Sequence, residues 1–215
     1  MLLYTAFNKE VYDQIPDGSI HILDVGCGNG ALGQALKNDN AHRKVTGLTF
    51  STEEAKIATK LLDKVVVGDL NGDLLTFTEL FDCIIFSHVL EHTYDPLKLV
   101  IHFKQFLSPN GLIVVALPNI LYYQQRLKFL KGDFKYSLYG GLMDITHFRF
   151  FDWNTAHNLI IDSGLNPIIR RAYGNFPLGI LRKLSKPIAE KIDNWALQLS
   201  PGLFGFQFII VSKKN

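Results

Sequence analysis

One stretch constrains this chain more than any other: Ile22-Leu23-Asp24-Val25-Gly26-Cys27-Gly28-Asn29-Gly30, continued by Ala31-Leu32-Gly33-Gln34-Ala35-Leu36. An apolar run ends in an acid, passes through glycine at alternate positions and resumes with helical spacing. That sequence of features reads as a buried strand, a tight turn and a helix N-terminus. Glycine at such a turn permits positive φ and lets a ligand lie against bare backbone. The free N–H groups of the following helix then face that ligand. The stretch predicts a binding site for a nucleotide-like molecule.

Strands and helices alternate on either side of it. Residues 4–15 read as a short helix stopped by Pro16-Asp17-Gly18, followed by a strand at about 20–25 and a helix at about 30–38. Lys44 to Thr49 is the next strand. Ser51 then reads as an N-cap, with Glu54 completing a capping box on a helix that runs to about Leu62. Strands follow at 64–67, 81–87 and 112–117, with a helix from Asp95-Pro96 to about Leu107 that Ser108-Pro109-Asn110-Gly111 stops. These strands are continuous apolar runs, the pattern of parallel strands covered on both faces. Ligands of such sheets sit at the carboxyl ends of the strands, which directs attention to 24–30, Thr49, Asp69, Ser87-His88 and Pro118-Asn119.

The second half is less regular. A helix is expected at 120–130, a loop at 131–147, a helix at 155–163, and strands at 167–172 and 206–211. Apolar residues at 181, 184, 188, 192, 195 and 199 have the spacing of one amphipathic helix. Its roles lie between covering the sheet, forming a homodimer and touching a membrane surface, with core cover preferred. Residues 165–215 carry eight Lys and Arg against two Asp and Glu, although the whole chain of 215 residues is only +2. That basic region suits a phosphate-bearing substrate, an anionic membrane surface or simply solvent.

Cys27 and Cys83 are too few for a disulfide framework and read as reduced, structural thiols of a cytoplasmic protein. The start Met1-Leu2-Leu3 lacks the basic region and the apolar core of a signal peptide. No run approaches the ~20 apolar residues of a spanning helix. Nothing resembles a nucleic-acid-binding module.

Three ligands compete for the glycine turn. A phosphate-gripping loop needs Gly-Lys-Ser/Thr after the turn, and that lysine is absent. A dinucleotide site is nominally met by Gly26, Gly28 and Ala31, but the acid it requires after the second strand is replaced by Thr49. The third is S-adenosylmethionine. An acid-terminated strand followed by Gly26, Gly28 and Gly30 resembles the first motif of class I S-adenosylmethionine-dependent methyltransferases. Gly68-Asp69-Leu70, the segment Ser87-His88-Val89-Leu90-Glu91-His92 with Asp95-Pro96, and Leu107 to Gly111 with Leu117-Pro118-Asn119 resemble later motifs in the same order. Gly132 to Tyr136 and Gly141 to Phe151 are similar to a bacterial subgroup associated with glycosyltransferases of surface-polysaccharide synthesis.

The resemblance implies an α/β Rossmann-like, doubly wound, mostly parallel seven-stranded sheet whose last strand is antiparallel. It implies one domain over 1–215, with a cofactor-binding core at about 18–118, an acceptor lid at 119–150 and a C-terminal half at 151–215. It places the cofactor against Asp24, Gly26, Cys27, Gly28, Gly30, Thr49, Asp69, Leu70, Ser87 and His88. Thr49 departs from the family, which commonly carries an acid there for the ribose hydroxyls; relatives of the cyclopropane fatty acid synthases share Gly-Leu-Thr. Glu54, one turn into the next helix, is the carboxylate expected to take over, unless it only caps its helix.

The acceptor implied by the resemblance is a hydroxyl or amine of a sugar, sugar nucleotide or glycolipid precursor. His147 is the expected general base, since a neutral imidazole accepts a hydroxyl proton near neutral pH. Asp144 is expected to orient it, and Asn119, Tyr123, Tyr136 and Arg149 to bind substrate, with Tyr122 and Tyr139 on the same rim. Other readings stay open: methylation of another small molecule or a lipid precursor, a nicotinamide-dependent oxidoreductase, or a cofactor-binding partner that does not turn over. His88-Val89-Leu90-Glu91-His92 also spells an inverted zinc-protease motif. That chemistry needs a long helix, and here the motif is squeezed between a strand and Asp95-Pro96, so no metal is expected.

Overall fold

A computed structural model describes residues 7–214 apart from 74 and 139. The sequence begins with α1 (Lys9–Tyr12), β1 (His21–Val25), α2 (Ala31–Asp39), β2 (Lys44–Thr49), α3 (Thr52–Ala58) and β3 (Lys64–Val67). Then come β4 (Phe81–Ser87), a 3-10 turn (Leu90–His92), α4 (Pro96–Lys104), β5 (Leu107–Pro118), α5 (Tyr123–Leu130), α6 (Trp153–Asp162) and β6 (Leu165–Gly174). The chain closes with α7 (Ile180–Leu184), α8 (Lys186–Leu199), α9 (Pro201–Phe204) and β7 (Gly205–Lys214).

The strands form one seven-stranded sheet in the order β3-β2-β1-β4-β5-β7-β6. β1 to β5 pair in parallel, and β7 runs antiparallel to both β5 and β6. This is the expected α/β class I methyltransferase topology, with helices on both faces. One core packs Phe86, Phe103, Ile160 and Phe208 under α4 and α6; the other packs Ile22, Leu36, Val45 and Ile85 under α1 and α2. The order of strands reverses between β1 and β4, so their carboxyl ends open a crevice there.

Several boundaries differ from the sequence reading for identifiable reasons. The helix expected over 4–15 is a single turn after Asn8, whose side chain caps Val11 N–H; residues 4–6 lie outside the described part. α3 ends at Ala58 rather than near Leu62. Ser108-Pro109-Asn110-Gly111 does not separate helix from strand but lies inside β5, where the register against β4 shifts between Phe81 and Cys83. The helix expected over 178–199 is broken at Ser185, with a proline in the first turn of α8. Leu181, Leu184, Ile188, Trp195 and Leu199 face solvent, and α8 buries Ala189, Asp193 and Ala196 instead. Apolar periodicity found the helical stretch but missed its break at Ser185 and assigned the wrong face to the core. Arg182 explains why: its guanidinium pairs with Asp193 at 2.6 Å and draws the polar side inward. No helix among the described residues is long and apolar enough to cross a membrane.

α2 approaches the sheet closely at Gly33, where an added Cβ would stand 2.4 Å from Leu62 Cδ2 and 2.8 Å from Val45 Cγ1. Alanine is a better helix former than glycine by about 1 kcal/mol, but overpacking a core costs roughly 1–3 kcal/mol. Gly33→Ala is therefore expected to lower stability by about 1 kcal/mol. A urea-denaturation midpoint that rose instead would show that helix propensity governs this position.

Candidate active site

The glycine turn is built by backbone geometry. Gly26, Gly28 and Gly30 have φ of 80°, 53° and 86°, and Gly30 is the left-handed N-cap of α2. The amides of Gly26 and Cys27 both donate to Leu48 O, at 2.8 and 2.9 Å, which ties the turn to the end of β2. A Cβ on Gly26 would lie 2.3 Å from Val89 Cγ2, so the turn after β1 and the turn after β4 interlock. A Cβ on Gly28 would meet nothing nearer than Glu54 Oε1 at 4.0 Å, leaving that backbone open to a ligand.

Asp24 ends β1 at 2% exposure, and burial pushes its carboxyl up from 3.8 to about 7. Burial also pushes the Cys27 thiol up, with Asp24 and Glu54 adding to the effect, so Cys27 is an inert thiol on the floor. At the end of β2 the expected capping box is half made. Ser51 Oγ accepts from Glu54 N–H at 3.2 Å, but the Glu54 carboxylate turns away and accepts from Thr49 Oγ1 at 2.9 Å. Thr49 is buried and thus holds a carboxylate where the family commonly has its own. Asp69 is exposed and accepts from Asn71 N–H at 2.8 Å, while Leu70 packs against the core. Thr49, Glu54, Asp69 and Leu70 stand on the β2–β3 side, outside the lining of the main cavity.

That cavity, of about 860 Å³, extends from Asp24 and the glycine turn past Ser87 and His88 to Glu91, His92 and His147. Loop residues Gly140 to Asp144 and the α5 residues Gln124, Gln125 and Lys128 form its far wall, and Phe7 and Asn8 close it from the N-terminal side. His88 is held at φ 54°, a strained value for a residue with a side chain. Its Nε2 meets Gln207 Oε1 at 2.8 Å and its Nδ1 meets Glu91 Oε1 at 3.3 Å. Burial alone would lower the His88 pKa, but the hydrogen bond and charge of Glu91 outweigh it, and the value rises.

His147 and Asp144 both reach the cavity, but not as the expected pair. His147 Nδ1 lies 3.3 Å from Leu142 O; a carbonyl only accepts, so Nδ1 carries the proton and Nε2 keeps its lone pair. Burial lowers its pKa, which leaves the ring neutral at physiological pH. Asp144 instead accepts from the backbone and hydroxyl of Thr146, at 2.8 and 2.7 Å. Burial works to raise its pKa, and these two bonds bring it below the usual carboxylate range. The orienting group of His147 is the Leu142 carbonyl.

All four expected substrate residues are placed otherwise. Asn119 is fully buried, with its amide donating to Gly202 O and Gly205 O at 3.0 and 2.6 Å, so it locks α9 rather than facing a ligand. Tyr123 packs on Tyr122 and Phe204 and accepts from Gln124, while it is Tyr122 that lines the cavity. Tyr136 is exposed against Phe134, and Arg149 donates to Tyr94 O and Phe148 O. Tyr139 lies outside the described residues. Glu91, His92 and the α5 amides Gln124 and Gln125 are among the cavity residues that the sequence reading did not assign, whereas Tyr122 was expected on this rim. Only the H-x-x-E-H spacing signalled the first two.

A family model described as a methyltransferase domain matches residues 6–168. The ubiquinone biosynthesis O-methyltransferase of Actinobacillus pleuropneumoniae serotype 5b is 30% identical over 108 residues, covering 46% of this chain and 45% of that protein. The chain thus spans about half the length of that relative. The Roseobacter denitrificans protein of the same name is 23% identical over 197 residues, covering 83% and 73%. An S-adenosylmethionine-dependent methyltransferase structure from Mesorhizobium loti superposes with a TM-score of 0.63 at 19% identity, covering 96% of both chains.

Between about pH 4 and 7 the unfolded Asp24 carboxyl is ionised while the folded one keeps its proton, so folding loses stability as pH rises through that window. Asp24→Asn removes this cost. It is expected to raise the melting temperature at pH 8 far more than at pH 4, while weakening binding of S-adenosylhomocysteine. Equal shifts at both pH values in differential scanning calorimetry would show that the carboxyl is not penalised.

Proposed function

The chain belongs to the methyltransferase-domain family, and on that premise we propose that it transfers a methyl group from S-adenosylmethionine to a hydroxyl or amine of a small molecule. One observation carries this reading: a single cavity joins the glycine turn and Asp24 to His147 and the loop 140–144. The turn and Asp24 hold the amino-acid part of the donor, and Glu54, steadied by Thr49, takes the ribose hydroxyls at the rim. Transfer is a direct displacement. The acceptor atom attacks the methyl carbon, the carbon–sulfur bond breaks, the sulfonium becomes a neutral thioether, and the acceptor loses its proton. The protein aligns nucleophile and methyl, and His147, with its free Nε2 lone pair, eases removal of the proton; alone, it does so as a general base.

For the acceptor, the far wall supports a sugar or sugar nucleotide: Gln124 and Gln125 offer amides for hydroxyls, and Lys128 and Lys135 offer cations for phosphate. A second reading, with a phenolic oxygen as acceptor, is favoured by the relatives, whose names specify an O-methyltransferase of ubiquinone biosynthesis.

Thermal-shift assays should show stabilisation by S-adenosylhomocysteine and none by NAD; the reverse result would make this an oxidoreductase. Methyl transfer from a labelled donor to sugar nucleotides and to catechols separates the two acceptors. Glu54→Ala is expected to weaken cofactor binding by about tenfold, roughly 1.4 kcal/mol. Unchanged affinity by calorimetry would reduce Glu54 to a helix-terminal residue.

A further inference from the structure

We propose that Glu91, His92 and His147 form a binding site for a divalent transition-metal cation, with Zn²⁺ the best match, that also receives the acceptor oxygen. The proposal rests on reading the cavity as the methyl-transfer site. One ligand atom from each of the three side chains lies within 4.8 Å of the others, and all three residues line the cavity that the glycine turn also lines. Ligands of a tetrahedral zinc, at bonds of about 2.0–2.1 Å, stand roughly 3.4 Å apart. Small rotations of three side chains close the set.

The state of each ligand favours a cation. Glu91 is 1% exposed, and its Oε2 is buried without a hydrogen-bond partner. An ionised oxygen in that position is costly unless something positive meets it. His147 spends Nδ1 on Leu142 O, and His92 Nδ1 lies 3.1 Å from Thr146 O. Both rings therefore keep Nε2 unprotonated, with the other nitrogen anchored on a carbonyl, the usual outer arrangement of metal-binding imidazoles. The two rings meet edge to face at 4.7 Å between centroids. His88, bonded to Glu91 Oε1 and to Gln207, orients the carboxylate from outside the set. The H-x-x-E-H motif thus supplies Glu91 and His92 rather than its two imidazoles, since His88 turns to Gln207 and the loop residue His147 provides the second ring.

Two imidazoles and one carboxylate leave open positions on the ion, as in hydrolytic zinc sites. Imidazole nitrogen selects zinc and its neighbours over magnesium or calcium. An acceptor hydroxyl on the ion becomes more acidic and releases its proton to solvent. The resulting alkoxide or phenolate oxygen attacks the methyl carbon as the carbon–sulfur bond breaks. In that state His147 acts as a ligand and not as a base. Adjacent hydroxyls, as in a vicinal diol or a catechol, would fill two open positions together.

The experiment is calorimetric titration of the EDTA-stripped, dialysed full chain with Zn²⁺, with Mg²⁺ as control, alongside visible absorption of the Co²⁺ form. One equivalent of Zn²⁺ should bind, Mg²⁺ should not compete, and Co²⁺ should give the intense visible bands of a low-symmetry site. His92→Ala and the near-isosteric Glu91→Gln should weaken Zn²⁺ by at least roughly a hundredfold. Both should keep the thermal shift with S-adenosylhomocysteine, which certifies their fold. Absence of Zn²⁺ binding in a protein that S-adenosylhomocysteine stabilises overturns the metal site and leaves the methyltransferase reading standing. Unchanged Zn²⁺ affinity in both variants overturns it equally. Loss of S-adenosylhomocysteine binding by the parent chain counts against the methyltransferase reading instead.

Discussion

The contact between Gly26 and Val89 organises the crevice. β1 and β4 are neighbours in the sheet, so the turns that leave them must share one space. They do so because Gly26 has no Cβ; the atom it lacks would overlap Val89 Cγ2. The segment after β4 does not begin a regular helix. It takes a left-handed residue at His88 and then the short turn Leu90–His92, which presents Glu91 and His92 to the cavity. One missing methyl group therefore shapes both the floor under the cofactor and the wall opposite it.

That wall continues into the loop before α6 through the backbone. The amides of Phe148 and Arg149 both donate to Glu91 O, at 2.8 and 3.0 Å, and Ser137 and Met143 to Ile145 close on each other by hydrogen bonds. His147 thereby reaches the cofactor crevice from a segment more than fifty residues away in sequence. The stretch expected as a lid is pinned at its carboxyl end to the turn after β4.

What could be read in advance follows from which forces are local. Buried parallel strands declare themselves as apolar runs, and the glycine turn declares itself because positive φ at three alternate positions has few other uses. The facing of single side chains is a long-range matter. Asn119 occupies a strand end where a ligand contact is expected, yet α9, more than eighty residues later, claims its amide. Tyr122 and Tyr123 are indistinguishable in sequence, and only the packing of α5 against Phe204 and Phe206 puts the first in the cavity and the second beside it. The amphipathic pattern of 178–199 fails for a similar reason, because the buried Asp193 needs Arg182 and the chain turns to supply it.

Asp24 and Glu91 both line the cavity, and each is a carboxyl at or below 2% exposure. A fold optimised for stability alone would put neutral or apolar groups at both places, since a buried carboxylate without its cation is a net cost. The two are unlike in how they are held. Asp24 rises toward protonation through burial alone, which suits a site that awaits a positively charged ligand and relaxes when it leaves. Glu91 has His88 on one oxygen and no partner on the other. One of its oxygens lies within 4.8 Å of ligand nitrogens on two imidazoles that carbonyls already hold in one tautomer. Strain of this kind persists where surrounding structure enforces it, and here the enforcing structure is the interlocked pair of turns. The stability given up at both carboxyls is thus concentrated in the lining of one cavity, where a cationic ligand can recover it.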